Sequence, residues 1–280
     1  MYEREPAVAG QFYEYSEGDL KRQIEDCFLK KEFGPEKLPT VIKGERKIIG
    51  LVVPHAGYMY SGPIAANGYL HLARDGKPND FIIIGPNHTG FGKAVSIMTE
   101  GIWKTPLGKV NIDKELASQI IKNSQMVEEN VDAHIGEHSI EVQLPFLQYV
   151  YRNFKFVPIC MLDQSYDASL DLGTAIFKSI SDKTVIIASS DLTHFETNQI
   201  AHKQDIKALN AIKKLDAEKF YEVIERENIS ACGYGPIATL LVVAKKLNAK
   251  NCEIIKYATS GDIVGDTSRV VGYATIKVMR

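Results

Sequence analysis

Apolar positions along the chain fall into two rhythms. Short unbroken apolar runs mark buried strands, and stripes at i, i+3, i+4 mark helices. Strands are predicted over 47–53, 81–84, 156–162, 185–188, 252–259 and 270–278. Ser16-Glu17-Gly18-Asp19 resembles a capping box. Leu20, Ile24 and Phe28 follow it at helical spacing, so a helix runs to Lys31. Further helices are predicted over 64–74, from an Asp113 N-cap to Asn123, and over 138–151, where Ile140, Leu144, Leu147 and Tyr151 share a stripe. Four more are expected over 166–181, 199–214, 217–226 behind an Asp216 cap, and 236–247. Arg4 to Tyr15 reads as extended, 34–44 and 54–63 as loops, and 95–113 as a hairpin about Pro106-Leu107-Gly108. A loop over 261–266 joins the last two strands. Strand 47–53, helix 64–74 and strand 81–84 form a right-handed parallel βαβ unit with adjacent strands. No repeat, low-complexity tract or linker interrupts the pattern. The expectation is a single α/β domain, 1–280, with a central mixed, mainly parallel sheet flanked by helices.

Three of the predicted strands end in histidine: Leu51-Val52-Val53-Pro54-His55, Phe81-Ile82-Ile83-Ile84-Gly85-Pro86-Asn87-His88, and Val185 to Ala188 continuing through Ser189-Ser190-Asp191-Leu192-Thr193-His194. In open α/β sheets, sites are built at the carboxyl ends of strands. The repetition therefore points to one convergent His/Asp cluster. Imidazole suits iron, copper, zinc or nickel; the competing reading is that each histidine caps a turn. Asp191 and His194, three residues apart, could supply a carboxylate and a general base, or a carboxylate that orients a ligand. An N-cap Asp with a surface His would look the same. His138 follows Glu137 at an apparent helix start, where a cation is disfavoured. It would stay neutral toward a substrate, unless it is only a polar residue opening a helix. Cys232, in Cys232-Gly233-Tyr234-Gly235-Pro236, precedes a helix, a position that favours thiolate and hence a nucleophile or soft ligand. The alternative is a buried small hydrophobe. His134 reads as solvent-facing, His71 and His202 as structural or surface residues, and Cys27, Cys160 and Cys252 as structural.

Composition narrows the function. Hydrophobic residues make up 45% of 280 and charged residues 24%, enough for an ordinary core. A formal charge of −2 leaves no footprint for nucleic acid. No stretch approaches the ~18 apolar residues of a membrane span, and the first 30 residues lack a signal-peptide core. The four cysteines lie far apart without CxxC spacing, which points to a reducing, cytoplasmic setting. There is no GxGxxG after a strand and no P-loop, so no nucleotide cofactor is indicated. A GxSxG elbow is missing too.

Taken together, the motifs resemble the Memo (mediator of cell motility) family. The match rests on Pro6-Ala7-Val8-Ala9-Gly10-Gln11-Phe12-Tyr13, Pro54-His55-Ala56-Gly57-Tyr58, Gly85-Pro86-Asn87-His88, Glu137-His138-Ser139-Ile140-Glu141, Ser190-Asp191-Leu192-Thr193-His194, Cys232-Gly233 with Pro236-Ile237, Ser260-Gly261-Asp262 and Val271-Gly272-Tyr273-Ala274. These segments span almost the whole chain in order. The resemblance implies a fold similar to class III non-haem iron extradiol dioxygenases. It implies His55 and His88 as metal ligands and Cys232 as a third where the dioxygenases have Glu. His194 falls at the dioxygenase acid/base position, with Asp191 beside it and His138 lining the same pocket. Thiolate in place of carboxylate shifts preference toward copper(I), zinc or thiolate-bound iron, so ring cleavage does not follow from the fold. Three readings result: a metal-dependent redox site holding iron or copper, a peptide- or partner-binding module reusing the pocket, and a zinc hydrolase with His194 as base. The expected ligand is a small molecule or peptide. Association with a radical-SAM protein and a second small protein is implied by resemblance alone.

Overall fold

The computed structural model describes residues 2–280. Its strands are β1 (Glu3–Arg4), β2 (Ile48–Val53), β3 (Asp80–Pro86), β4 (Val95–Ile97), β5 (Ile102–Thr105), β6 (Gly108–Ile112), β7 (Val127–Glu129), β8 (Lys155–Met161), β9 (Thr184–Ser189), β10 (His194–Glu196), β11 (Asn251–Thr259) and β12 (Val270–Met279). Its α-helices are α1 (Glu17–Leu29), α2 (Tyr58–Arg74), α3 (Lys114–Asn123), α4 (Asp132–Ile135), α5 (Leu144–Tyr151), α6 (Tyr166–Ser179), α7 (Asn198–Ile212), α8 (Ala217–Arg226), α9 (Tyr234–Lys246) and α10 (Ser260–Val264).

One mixed sheet organises the α/β architecture, with strand order β1-β5-β6-β8-β3-β9-β2-β12-β10; β11 pairs with β12, and β4 bridges β7 and β8. Its centre, β8-β3-β9-β2, is parallel, and β12 closes one side antiparallel to β2. Both faces of the central strands are buried, which is why they read as unbroken apolar runs. In β3, Ile82 and Ile84 face the core shared with α6, α8 and α9, while Phe81 and Ile83 face the core shared with α1, α2 and α5. Ile186 and Ala188 of β9 alternate with Val185 and Ile187 in the same way.

The connections differ from expectation at several points. β2 and β3 are parallel but not adjacent, because β9 lies between them and pairs with both. All three histidine-bearing strand ends are thereby neighbours. α2 starts at Tyr58, so the loop after β2 is shorter than predicted and Pro63 lies inside the helix. The stripe over 138–151 splits into a 3-10 turn, Glu141–Gln143, and α5 with Pro145 in its first turn. His138 therefore sits in a loop and not at an α-helix start. The expected hairpin is β5–β6 alone; β4 leaves it to pair with β7 and β8. The expected loop over 261–266 contains α10, closed by a Thr259–Asp262 capping box and Gly265 at φ 90°. Among the described residues, no helix is long and apolar enough to cross a membrane.

Candidate metal centre

Three strand ends and one helix start meet at the carboxyl edge of the sheet. β2 delivers His55, β3 delivers His88, β9 delivers Asp191 and, through the turn into β10, His194. Cys232 arrives from the other side, just before α9. Its approach depends on Gly233: a Cβ there would lie 2.4 Å from the Ser189 carbonyl oxygen and 2.7 Å from Ser190 Cβ. Ser190 Oγ accepts from Gly233 N at 3.0 Å and fixes the contact. Gly85 serves a matching end, since a Cβ would lie 2.3 Å from Ser139 Oγ. Its absence lets the loop carrying Glu137 and His138 lie across the end of β3.

Hydrogen bonding fixes the imidazole tautomers. Ser189 Oγ donates its only proton to the Ser139 carbonyl at 2.6 Å. The contact between His55 Nδ1 and Ser189 Oγ, at 2.9 Å, therefore has Nδ1–H as donor. Gln143 Nε2 donates to the same oxygen at 2.9 Å. His88 Nδ1 lies 2.9 Å from Glu137 Oε1, a carboxylate oxygen, so it too carries its proton on Nδ1. His194 Nδ1 lies 2.7 Å from the Leu192 carbonyl and 2.9 Å from that of Ser230, which can only accept. Each of the three rings thereby presents Nε2 as its acceptor, and that of His55 meets the Cys232 thiol. His55 Nε2 is 3.1 Å from Cys232 Sγ and 4.0 Å from Asp191 Oδ2.

These groups belong to one open pocket of about 420 Å³, lined by His55, His88, His138, Asp191 and His194 with Phe12, Tyr60 and Tyr273. The His88 and His138 rings stack at 4.6 Å, and Phe12 packs on His138 at 4.8 Å. Phe12 is held by its own carbonyl, which accepts from Tyr58 N at 2.7 Å.

Electrostatics divides the histidines. Burial holds His55 well below its ordinary range, and the neighbouring His138, His88 and His194 add to the effect. Burial also lowers His138, against the pull of Glu137; burial, not a helix terminus, keeps it neutral. For His88 burial is overcome by the Glu137 hydrogen bond and charge, which raise it. The same pairing, working against burial, holds Glu137 down at about 2. Burial pushes Asp191 up to about 6 although its Oδ1 accepts from His55 N at 2.8 Å. The thiolate expected at Cys232 is corrected: burial, then the Asp191 charge, raises that thiol well above the ordinary range. Gly233 is the helix cap, and Cys232 lies one residue outside it, so the dipole does not offset desolvation.

The structure thus brings together all six residues singled out from the sequence. Ligand atoms of His55, His88 and Cys232 lie within 4.8 Å of one another, as do those of Asp191, His194 and Cys232. Bonds of ~2.0 Å to nitrogen and ~2.3 Å to sulfur at the tetrahedral angle would hold the two donors ~3.5 Å apart. At 3.1 Å, His55 Nε2 and Cys232 Sγ are at hydrogen-bond distance, somewhat closer than that spacing. What the sequence reading missed is the support. Glu137 is fully buried and accepts from His88 N at 2.6 Å and from Ser139 N at 2.8 Å besides the His88 ring. Glu141, equally buried, ion-pairs with Arg4 and accepts from Tyr13 Oη and the Ala7 and Val8 amides. Arg4 in turn donates to the Glu137 carbonyl at 2.7 Å. His134 is corrected from solvent-facing to fully buried, packed edge-on against Trp103.

Comparison with known proteins places the chain. A family model described as Memo-like protein matches residues 4–277. A MEMO1 family protein from Methanopyrus kandleri is 48% identical over 282 residues, covering 99% of each chain. Another from Sulfolobus acidocaldarius is 47% identical and covers 98% of each. A solved structure of an uncharacterized Escherichia coli protein superimposes with a TM-score of 0.56 at 11% identity, over 82% of this chain and 99% of that one, and shares the fold. The chain belongs to the Memo-like family.

Proposed function

We propose that this Memo-like protein is a metal-dependent redox protein that binds iron or copper between His55, His88 and Cys232. One observation carries the reading. Two imidazoles are locked with Nδ1 as donor, His55 Nε2 lies 3.1 Å from the Cys232 sulfur, and a ring nitrogen of His88 lies within 4.8 Å of both. Outer hydrogen bonds of this kind orient metal-binding histidines. A bound iron or copper ion would supply one-electron chemistry at a position open to the pocket. The remaining residues would act on the substrate. His194 would take up or return a proton at Nε2. His138 would hold the substrate as a neutral donor or acceptor within the Phe12 wall. Asp191 would steady the His55 amide and sit beside the thiol, whose Sγ accepts from Asp191 N at 3.3 Å. Loss of the Cys232 proton must accompany binding, so affinity should rise with pH. Zinc on the same donors would make the site hydrolytic instead. Elemental analysis of protein purified without oxygen or chelator tests the proposal. About one equivalent of iron or copper is expected, falling sharply in His88→Ala and Cys232→Ser. Unchanged metal content in both variants, or zinc alone, would overturn it.

A further inference from the structure

The opposite pole of the sheet carries a second concave feature. Here the amino ends of β2, β3 and β9 meet the carboxyl end of β12. Each contributes a cation: Arg46 and Lys47 before β2, Lys77 before β3, Lys183 before β9, and Arg280 after β12. All five line one cleft of about 620 Å³. The acidic side chains that share it are Glu45 and Asp182. With Asp75, whose carboxylate lies 3.6 Å from Arg46 and accepts from Lys47 N, five positive side chains meet three negative ones, a balance of +2 in a chain whose formal charge is −2.

The cations are arranged unequally. Arg46 forms a fixed floor: its side chain is 7% exposed, and its guanidinium donates to the Ile48 carbonyl at 2.8 Å with Asp75 at 3.6 Å. Its Nε is buried with no hydrogen-bond partner. Arg280 is tied to Asp182 at 2.6 Å. Lys47, Lys77 and Lys183 are exposed, and among the described residues none has a carboxylate within ion-pair distance. Three of the five cations thus lack a paired carboxylate, and a gathering of like charge favours an anion.

We propose that this cleft binds a small polyanion of the phosphate class, such as the di- or triphosphate moiety of a soluble metabolite. The volume is that of a small-molecule site. Exposed ammonium groups around a fixed guanidinium charge are suited to clustered phosphate oxygens. Concavity and the small number of cations favour a compact ligand over a long polymer. The cleft is built from other residues than the histidine pocket and lies at the other end of the same strands, so a ligand here would not compete for the metal donors.

The probe is inorganic pyrophosphate, titrated calorimetrically at low ionic strength against the metal-free protein. Sodium chloride at matched ionic strength corrects for screening. Saturable binding near one equivalent is expected, weakened at least tenfold in Lys77→Gln/Lys183→Gln and unchanged in His88→Ala. The lysine variant should keep its thermal midpoint and its metal content, so failure here leaves the metal assignment standing. Absence of saturable binding, or equal binding by the lysine variant, would overturn the proposal. So would binding of a short RNA or of phosphatidylserine vesicles without binding of pyrophosphate.

Discussion

Glu137→Gln is the most searching single change to the proposed centre. The carboxylate is fully buried and accepts three hydrogen bonds, from the His88 ring at 2.9 Å, His88 N at 2.6 Å and Ser139 N at 2.8 Å. Glutamine keeps the shape but replaces one acceptor with an NH₂ donor. If its oxygen faces the ring and Ser139, the NH₂ meets the His88 N–H, leaving a buried donor unsatisfied at a cost of ~1–3 kcal/mol. If the NH₂ faces the ring, His88 must move its proton to Nε2, and the lone pair offered to the pocket is lost. Either outcome degrades His88 as a ligand, and loss of an outer-shell partner of this kind weakens metal binding ~10–100-fold. That is ~1.4–2.7 kcal/mol. The assay is anoxic metal competition against a chelator of known affinity, with ¹⁵N NMR of the imidazoles reporting the tautomer. A variant that stays folded, keeps its His88 Nδ1 proton and binds metal within twofold of wild type would refute the reasoning.

Three further outcomes follow from the same geometry. Ser189→Ala strips the acceptor from His55 Nδ1 and Gln143 Nε2; it should cost ~1–3 kcal/mol in urea unfolding and weaken metal binding, and unchanged values for both would exclude Ser189 as the hub. Gly233→Ala drives a Cβ into Ser189 and Ser190; a loss of ~1–3 kcal/mol is expected, seen as a lower Tm with reduced metal uptake, and a wild-type Tm would contradict the close approach. His134 is held down to about 3 by burial and then by the Arg4 charge. The unfolded chain therefore takes up a proton below its ordinary value of 6.5 while the folded protein does not, and the stability present above that pH is lost as pH falls toward 3. The slope is at most ~1.4 kcal/mol per pH unit. Chemical unfolding at a series of pH values should show a shallower decline in His134→Leu; parallel curves would show that His134 is not buried as a neutral ring.

The parts of the site legible in the sequence are those on the backbone frame. Phe81 to Ile84 and Val185 to Ala188 announce buried strands because both faces are covered, and polar residues just past them fall at the carboxyl edge. Pairing order was not legible: the spacing makes β2 and β3 look adjacent, and nothing local shows β9 inserting between them. Buried charge was hidden for a related reason. Nothing local marks Glu137 and Glu141 as buried, and the polar surroundings of His134 make it read as solvent-facing, whereas the partners of the two carboxylates are 49 to 137 positions away and His134 meets an apolar wall around Trp103. Cys232 was visible as a candidate, but its protonation depends on burial beside Asp191, which only the packed structure supplies. Pro63 misled the boundary of α2, because a proline breaker signal is strong locally and the helix absorbs it near its first turn.

X-ray absorption spectroscopy on anaerobically purified, metal-loaded protein tests the central claim most directly. The account predicts one sulfur scatterer at ~2.3 Å with nitrogen scatterers at ~2.0 Å, the sulfur shell vanishing in Cys232→Ser and nitrogen intensity falling in His55→Ala. A spectrum without sulfur, or one unaltered by Cys232→Ser, would contradict it.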